Sequence, residues 1–246
     1  MVSTLASAAG AFREHRGSGN TAPSAEIRYQ ITDLGTLGGS RSFATGLNDR
    51  GEVVGYSEIE FGVFQFHAFR WKDGHMQDLG TLGGDQSFAL SINRRGQVVG
   101  SAYTDTQASH AVLWKNGTIR DLGLLPRGSS TFARGINDRG EVIGSGDTFV
   151  ANRFGYFEVS RAFLWKNGRM RLLDDLDPRA GPEEGSNLAV AINNRGVVVG
   201  DAERIRNQPT WPVLWQAGGS HRIRPLVPSE GTVYAVNDLG QVVGQV

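Results

Sequence analysis

Arg134 and Tyr234 are the two side chains whose place in the chain best suits them to chemistry. Each lies three residues before a recurring asparagine, in a column that otherwise reads Thr45, Leu90 and Val190. A guanidinium at such a point can bind an oxyanion or enolate, and a phenol can donate a hydrogen bond or exchange a proton. Hydrolytic chemistry has fewer parts to draw on. His67 and His110 recur within a repeat, His75 and His221 sit beside hairpin turns, and His15 lies near the N-terminus. No Gly-x-Ser-x-Gly, His-Glu-x-x-His or phosphate-loop motif occurs. The chain has 0 cysteines, which removes disulfides, thiolate metal ligands and thiol nucleophiles together. Carboxylates crowd only at Asp174, Asp175, Asp177, Glu183 and Glu184. Glycoside hydrolysis would need two of them opposed across roughly 5–10 Å.

A second group is aromatic. Phe61, Phe64 and Phe66 fall in one variable segment, and Phe149, Phe154, Tyr156 and Phe157 in another. Asp147 and Arg153 lie within that second segment, and Glu184 lies in a later one. Apolar rings gathered in loops usually mark a binding surface, and with a few polar neighbours they suit a lidded pocket for a largely apolar small molecule. The alternative is that the loops fold over one another and bury Phe61 and Phe154 as a satellite core.

What must position these residues is a repeat. The string Asn-x-x-Gly-x-Val-(Val/Ile)-Gly occurs at Asn48, Asn93, Asn137, Asn193 and Asn237, in steps of 45, 44, 56 and 44 residues. Those steps match a four-stranded propeller blade of about 40–50 residues. A second motif intervenes: His67-Ala-Phe-Arg-Trp71, His110-Ala-Val-Leu-Trp114, Arg161-Ala-Phe-Leu-Trp165 and Trp211-Pro-Val-Leu-Trp215. Three of these run into Lys-Asp-Gly or Lys-Asn-Gly, the chemistry of a tight hairpin turn. No segment keeps a 3.6-residue apolar period, so the units read as strands throughout. The first strand of each unit is small-residue rich, as a crowded innermost strand requires, and the third carries the bulky rings of a blade's wider outer part.

The fifth unit supplies only Thr232 to Asn237 and Gln241 to Val246. Tyr29-Gln-Ile-Thr-Asp33-Leu34-Gly35 repeats the fourth-strand ending seen at Asp78-Leu-Gly80 and Asp121-Leu-Gly123, and Ala11-Phe12-Arg13 overlies part of a third strand. The expectation is one all-β domain over residues 27–246, a five-bladed propeller of four-stranded blades closed by pairing of the N- and C-terminal strands. Residues 1–26 form a tail that could lend an outer closing strand. The segments GLNDRGEVVGYS, HAFRWKDG and YQITDLGTLGG resemble the HAF repeat of bacterial extracellular repeat proteins. That resemblance implies a propeller-like fold and transfers no reaction.

Repetition also sorts the residues. The motif asparagines read as turn residues, Trp71, Trp114, Trp165 and Trp215 as packing between blades, and Asp33, Asp78 and Asp121 as ties at a strand end. Function belongs where the repeats break. The motif glycine and the third-strand alanine, replaced by Pro212 in the fourth unit, lie 13, 11, 18 and 12 positions apart in the four complete units, so the third is the outlier.

Charge balances at 25 basic against 25 acidic residues, which leaves no field to gather nucleic acid or an anionic membrane. No apolar run spans a bilayer, and the N-terminus lacks the form of a signal peptide, which favours a cytoplasmic location. The expected function is an enzyme or binder acting on one largely apolar small molecule at the channel mouth. It needs no cofactor and no metal, and as an enzyme it would be isomerase- or cyclase-like. A non-catalytic recognition module for carbohydrate or a protein partner is the alternative.

Overall fold

The computed structural model describes residues 30–152, 155–173, 185–203, 209–216, 223–227 and 229–245, and its named elements are all strands. Blade one comprises β1 Ser42–Leu47, β2 Val53–Glu58, β3 Phe66–Lys72 and β4 His75–Asp78. Blade two comprises β5 Gly83–Ile92, β6 Val98–Thr104, β7 Ser109–Lys115 and β8 Thr118–Gly123. Blade three comprises β9 Thr131–Ile136, β10 Val142–Asn152, β11 Gly155–Lys166 and β12 Arg169–Leu172. Blade four comprises β13 Asn187–Ile192, β14 Val198–Glu203, β15 Thr210–Trp215 and β16 Ile223–Pro225. β17 Thr232–Val236 and β18 Val242–Gln245 form a two-stranded sheet. Each blade is an antiparallel meander in chain order, the arrangement of a β-propeller.

The meander is written locally. Asn48 Oδ1 accepts the amides of Arg50 at 3.0 Å and Glu52 at 3.1 Å, while Gly51 N–H donates to the Asn48 carbonyl at 3.0 Å. Gly51 closes this turn at φ 70°, a conformation a side chain disfavours. The same bonds recur at Asn93, Asn137, Asn193 and Asn237.

Every inner strand then carries one β-bulge at an equivalent place. The ladder passes over Thr45 in β1, Leu90 in β5, Arg134 in β9, Val190 in β13 and Tyr234 in β17. The closing glycine of the motif faces each bulge. A Cβ on Gly55, Gly100, Gly144 or Gly200 would stand 1.9, 1.9, 2.0 or 1.9 Å from the carbonyl oxygen of Phe43, Phe88, Phe132 or Leu188. No side chain fits there, so the glycine and the bulge require each other.

Blades pack face to face. Val54 and Ala68 of blade one meet Ala89, Ile92, Val112 and Trp114 of blade two. Val99, Ala111 and Leu113 meet Ala133, Ile136, Phe163 and Trp165, and Ile143, Ala162 and Leu164 meet Ala189, Val213 and Trp215. Trp114, Trp165 and Trp215 thus sit between blades, as their repetition predicts, whereas Trp71 packs against Val53 and Phe69 of its own blade and Leu34. Burying one such side chain contributes on the order of 2–3 kcal/mol, so the three interfaces dominate cohesion.

The β17–β18 sheet follows blade four in the same manner, with Asn193 Nδ2 donating to the Asn237 carbonyl at 2.9 Å. Among the described residues no strand pairs with its far side. Val243 is 59% exposed and Leu47 is 57% exposed, whereas Val54, Val99, Ile143 and Val199, which match Val243, are 0% exposed. Residues 30–41 carry no strand, and the rest of the expected closing segment, Ala11-Phe12-Arg13 and Tyr29 included, lies outside the described residues. Part of its signature is nonetheless in place. Asp33 Oδ1 accepts the Gly35 amide at 2.9 Å, as Asp78 and Asp121 accept those of Gly80 and Gly123 at 2.7 Å. Leu34 is buried against Val53 and Phe69, as Leu122 is against Val142 and Phe163.

Candidate functional site

The ladders define two sides of the ring. Ser42 pairs with Ser57 and Glu58 with Phe66, which puts the links between second and third strands, and the links between blades, on one side. The asparagine turns and the Lys72–His75 turn lie on the other. These are the loop side and the turn side.

On the turn side an open cavity of about 370 Å³ is ringed by five equivalent triplets, from Leu47-Asn48-Asp49 to Val236-Asn237-Asp238. Two belts of hydrogen bonds build it. In the inner belt each asparagine amide reaches the next blade: Asn48, Asn93 and Asn137 donate to the carbonyls of Asn93, Asn137 and Asn193 at 3.0, 3.0 and 3.1 Å. In the outer belt Arg94 Nε lies 3.2 Å from both Asp49 and Asp138, and Asn194 Nδ2 donates to Asp138 and Asp238 at 3.0 Å. Bonds from the Asn194 backbone and side chain hold the Asp238 carboxyl below its ordinary range. The belts are framework; among the described residues no cluster of three or more His, Asp or Glu could hold a metal ion.

The loop side is asymmetric, and most of the sequence-predicted residues are there. In blade one Phe61 and Phe64 are 79% and 75% exposed, with the Arg41 guanidinium 5.2 Å from the Phe64 ring centre. Phe66 differs from its expected place in a loop, since it belongs to β3 and packs against Tyr56 at 5.6 Å and Phe43 at 6.2 Å. Phe88 of blade two completes this cluster, 5.1 Å from Tyr56. Phe43, Phe88 and the exposed Phe132 occupy one column of the inner strands, five residues before the motif asparagine. The small residues of that strand dominate its sequence pattern, but the Phe column is visible in SFATGLN, SFALSIN and TFARGIN.

The blade-three insertion is a hairpin rather than a loop. In the other blades the ladder between second and third strands ends at Glu58↔Phe66, Tyr103↔Ser109 and Glu203↔Thr210. In blade three the equivalent pair Asp147↔Ser160 is followed by five more, ending at Asn152↔Gly155. At about 3.4 Å per residue, the hairpin projects roughly 17 Å past its neighbours. Phe149 and Tyr156 are exposed on it and Phe157 is half-buried. Arg153, Phe154 and Glu184 lie outside the described residues.

Asp147, expected as a ligand contact, has a structural task. It is buried and accepts the amides of Ser129 at 2.9 Å and Ser130 at 2.6 Å, and the Ser129 hydroxyl. Burial pushes its carboxyl up, and those bonds more than offset the push and leave it below the ordinary value. Glu58 does the same for the Ser40 amide and hydroxyl and Arg41, and Glu203 for the Ser186 amide. The recurrent Ser before the inner strand was the available signal for this clamp.

Arg134 and Tyr234 are both exposed at their bulges, but each has a neighbour the sequence did not predict. Tyr234 donates its hydroxyl proton to Gln245 Oε1 at 2.8 Å. Arg134 acts on Asp201 of blade four, whose carboxyl is pushed up by burial, a push only partly countered by the Val233 amide, 2.9 Å away, and by Arg134 itself. A raised carboxyl between an arginine and a phenol-bearing strand is the pattern of a group that can hold or pass a proton. Phe43↔Tyr56 and Leu188↔Asp201 are equivalent cross-strand pairs, so Asp201 stands where blade one presents Tyr56.

No family model matches the chain, and no curated protein matches it. Among solved structures it is similar to a gluconolactonase from Xanthomonas campestris, important in glucose secondary metabolic pathways, with 10% identity and a TM-score of 0.41 over 88% of this chain and 72% of that one.

Proposed function

We propose that the chain is a five-bladed propeller in which the N-terminal segment completes the blade begun by β17–β18, and that its loop-side rim takes one small molecule with much apolar surface. The observation that carries the reading is the division of that rim. Phe43, Tyr56, Phe66 and Phe88 form an aromatic half on blades one and two, and Arg134, Asp201 and Tyr234 a polar half on blades three, four and the last sheet. An apolar body would rest on the rings and present a carbonyl or hydroxyl to the polar half. Unequal blades favour one site over five equivalent ones. Turnover would be cofactor-free isomerisation or cyclisation: Arg134 steadies developing negative charge, Asp201 and Tyr234 exchange protons, and the rings hold the reactive fold of the substrate.

The test is a thermal-shift screen of apolar metabolites on the native chain and on Phe88→Ala, Phe64→Ala and Arg134→Gln. A ligand-induced shift lost in Phe88→Ala and Arg134→Gln supports the reading; shifts unchanged in all three variants overturn it. The exposure of Phe61, Phe64 and Tyr156, at 79%, 75% and 69%, favours a second reading, a recognition module whose protein partner covers these rings. Under that reading no small molecule shifts the transition.

A further inference from the structure

A site independent of the loop-side rim lies on the turn side, between blades two and three. In blade one the buried Glu52 accepts from Arg50 Nη2 at 2.8 Å and Arg70 Nη2 at 2.5 Å, with Lys72 Nζ at 3.5 Å. In blade three Glu141 accepts from Arg139 Nε at 3.0 Å and lies 2.6 Å from Lys166 Nζ. Blade two keeps the matching cations, Arg95 and Lys115, but carries Gln97 in place of the carboxylate. Among the described residues, neither Arg95 nor Lys115 makes an ion pair.

These two cations face a cleft of about 550 Å³ that Arg120 and Arg139 also line, and among the described residues no carboxylate lines it. Arg120 lies 5.0 Å above the Trp165 ring, an arrangement that leaves its guanidinium edge free to donate. Gln97 Oε1 is taken by Asn93 Nδ2 at 2.9 Å, so its amide N–H group is what it can offer the cleft. Arg139 has its counter-charge in Glu141, but Arg95, Lys115 and Arg120 converge without one among the described residues and repel one another, and an anion relieves that repulsion through several charge-assisted bonds at once.

We propose that this cleft binds a phosphate or sulfate group, free or borne by a small molecule, through Arg95, Lys115 and Arg120 with the Gln97 amide. A tetrahedral, multiply charged oxyanion can answer donors arriving from several directions, which a single carboxylate cannot. The neighbouring blades supply the internal control, since they hold a glutamate where blade two needs an external anion.

Calorimetric titration at low ionic strength with inorganic phosphate, sulfate and phenyl phosphate tests this on the full chain. One saturable site is expected, weakened by added salt. Gln97→Glu, which installs the blade-one carboxylate, should weaken binding at least tenfold, as should the double change Arg95→Gln with Lys115→Gln. Arg127→Gln, on the loop side, should leave it unchanged. Phenyl phosphate binding more tightly than inorganic phosphate supports an ester, and equal binding supports the free anion. Absence of saturable binding by all three, or binding equal to native in both Gln97→Glu and the double variant, overturns the proposal.

Discussion

Asn48 Nδ2 donates to the carbonyl oxygen of Asn93, 3.0 Å away and 45 residues on, while the Oδ1 of the same side chain caps its own turn. One amide therefore closes a hairpin and staples a blade, and the chain of such staples runs on to Asn237. Replacing Asn93 by Ala leaves two turn amides and the Gln97 Oε1 without their partners, and leaves the Asn137 carbonyl with the Gly140 amide alone, at a cost of about 2–4 kcal/mol. Asn237 is exposed, and among the described residues its Nδ2 reaches only Gln241 of its own sheet, at 2.7 Å. Asn237→Ala should cost under about 1 kcal/mol. Thermal unfolding of the two variants checks the ordering, and equal losses would remove the staple from the explanation.

Gly100 and Gly117 separate close approach from backbone conformation. A Cβ on Gly100 meets the Phe88 carbonyl oxygen at 1.9 Å, whereas one on Gly117 meets nothing within 4 Å and pays only for φ 74°. Gly117→Ala should lower stability by about 1 kcal/mol. Gly100→Ala should lower it several-fold more or leave no soluble protein, read from soluble yield and urea midpoint. Similar midpoints would mean that the bulge can relax.

Much of this architecture is legible in the residues because each blade solves one packing problem with one set of side chains. The asparagine turns, the tryptophan interfaces and the Asp-Leu-Gly endings all repeat, so spacing alone exposes them. The clamp at Asp147 stayed hidden because its partners, Ser129 and Ser130, belong to the preceding link and meet it only across the inner strand. Asp201 stayed hidden for a related reason: its character comes from burial and from Arg134 of another blade, and neither is visible in sequence spacing. The blade-three insertion was legible as an outlier in length, yet its alternation of exposed and half-buried residues, which makes it a hairpin, was masked by its density of aromatics.

Glu52 sets an acid limit. Burial pushes its carboxyl up, but bonds from Arg50, Asn48 and Arg70 outweigh that and hold it at about 2; bonds from Arg41 and Ser40 hold Glu58 at about 2 as well. An unfolded glutamate titrates near 4.3. A carboxyl depressed in the fold contributes stability that is complete above that value and is lost as pH falls toward about 2. Glu52→Gln should therefore be less stable than the native chain at pH 7, where Arg50, Arg70 and Lys72 lose their counter-charge, and the gap should narrow by pH 3. Urea midpoints at the two pH values decide it; a gap that widens on acidification contradicts the assignment.

Asp201 runs the other way. Its carboxyl is raised in the fold, so ionising it at neutral pH opposes folding: stability is greatest while it stays protonated and declines as pH rises from the unfolded value, near 3.9, through the raised one. Asn at this position keeps the oxygen that the Val233 amide needs and never ionises. Asp201→Asn should accordingly be as stable as the native chain at pH 7, or more so, measured by thermal unfolding. A purely structural carboxylate would be expected to lose stability on that change. If the loop-side rim is the working site proposed above, the same variant should lose turnover at least tenfold, because the amide cannot hold or release a proton. Stability gained together with activity lost is the signature of a group kept for chemistry at the expense of the fold. A variant that is both stable and fully active would move the chemistry away from Asp201.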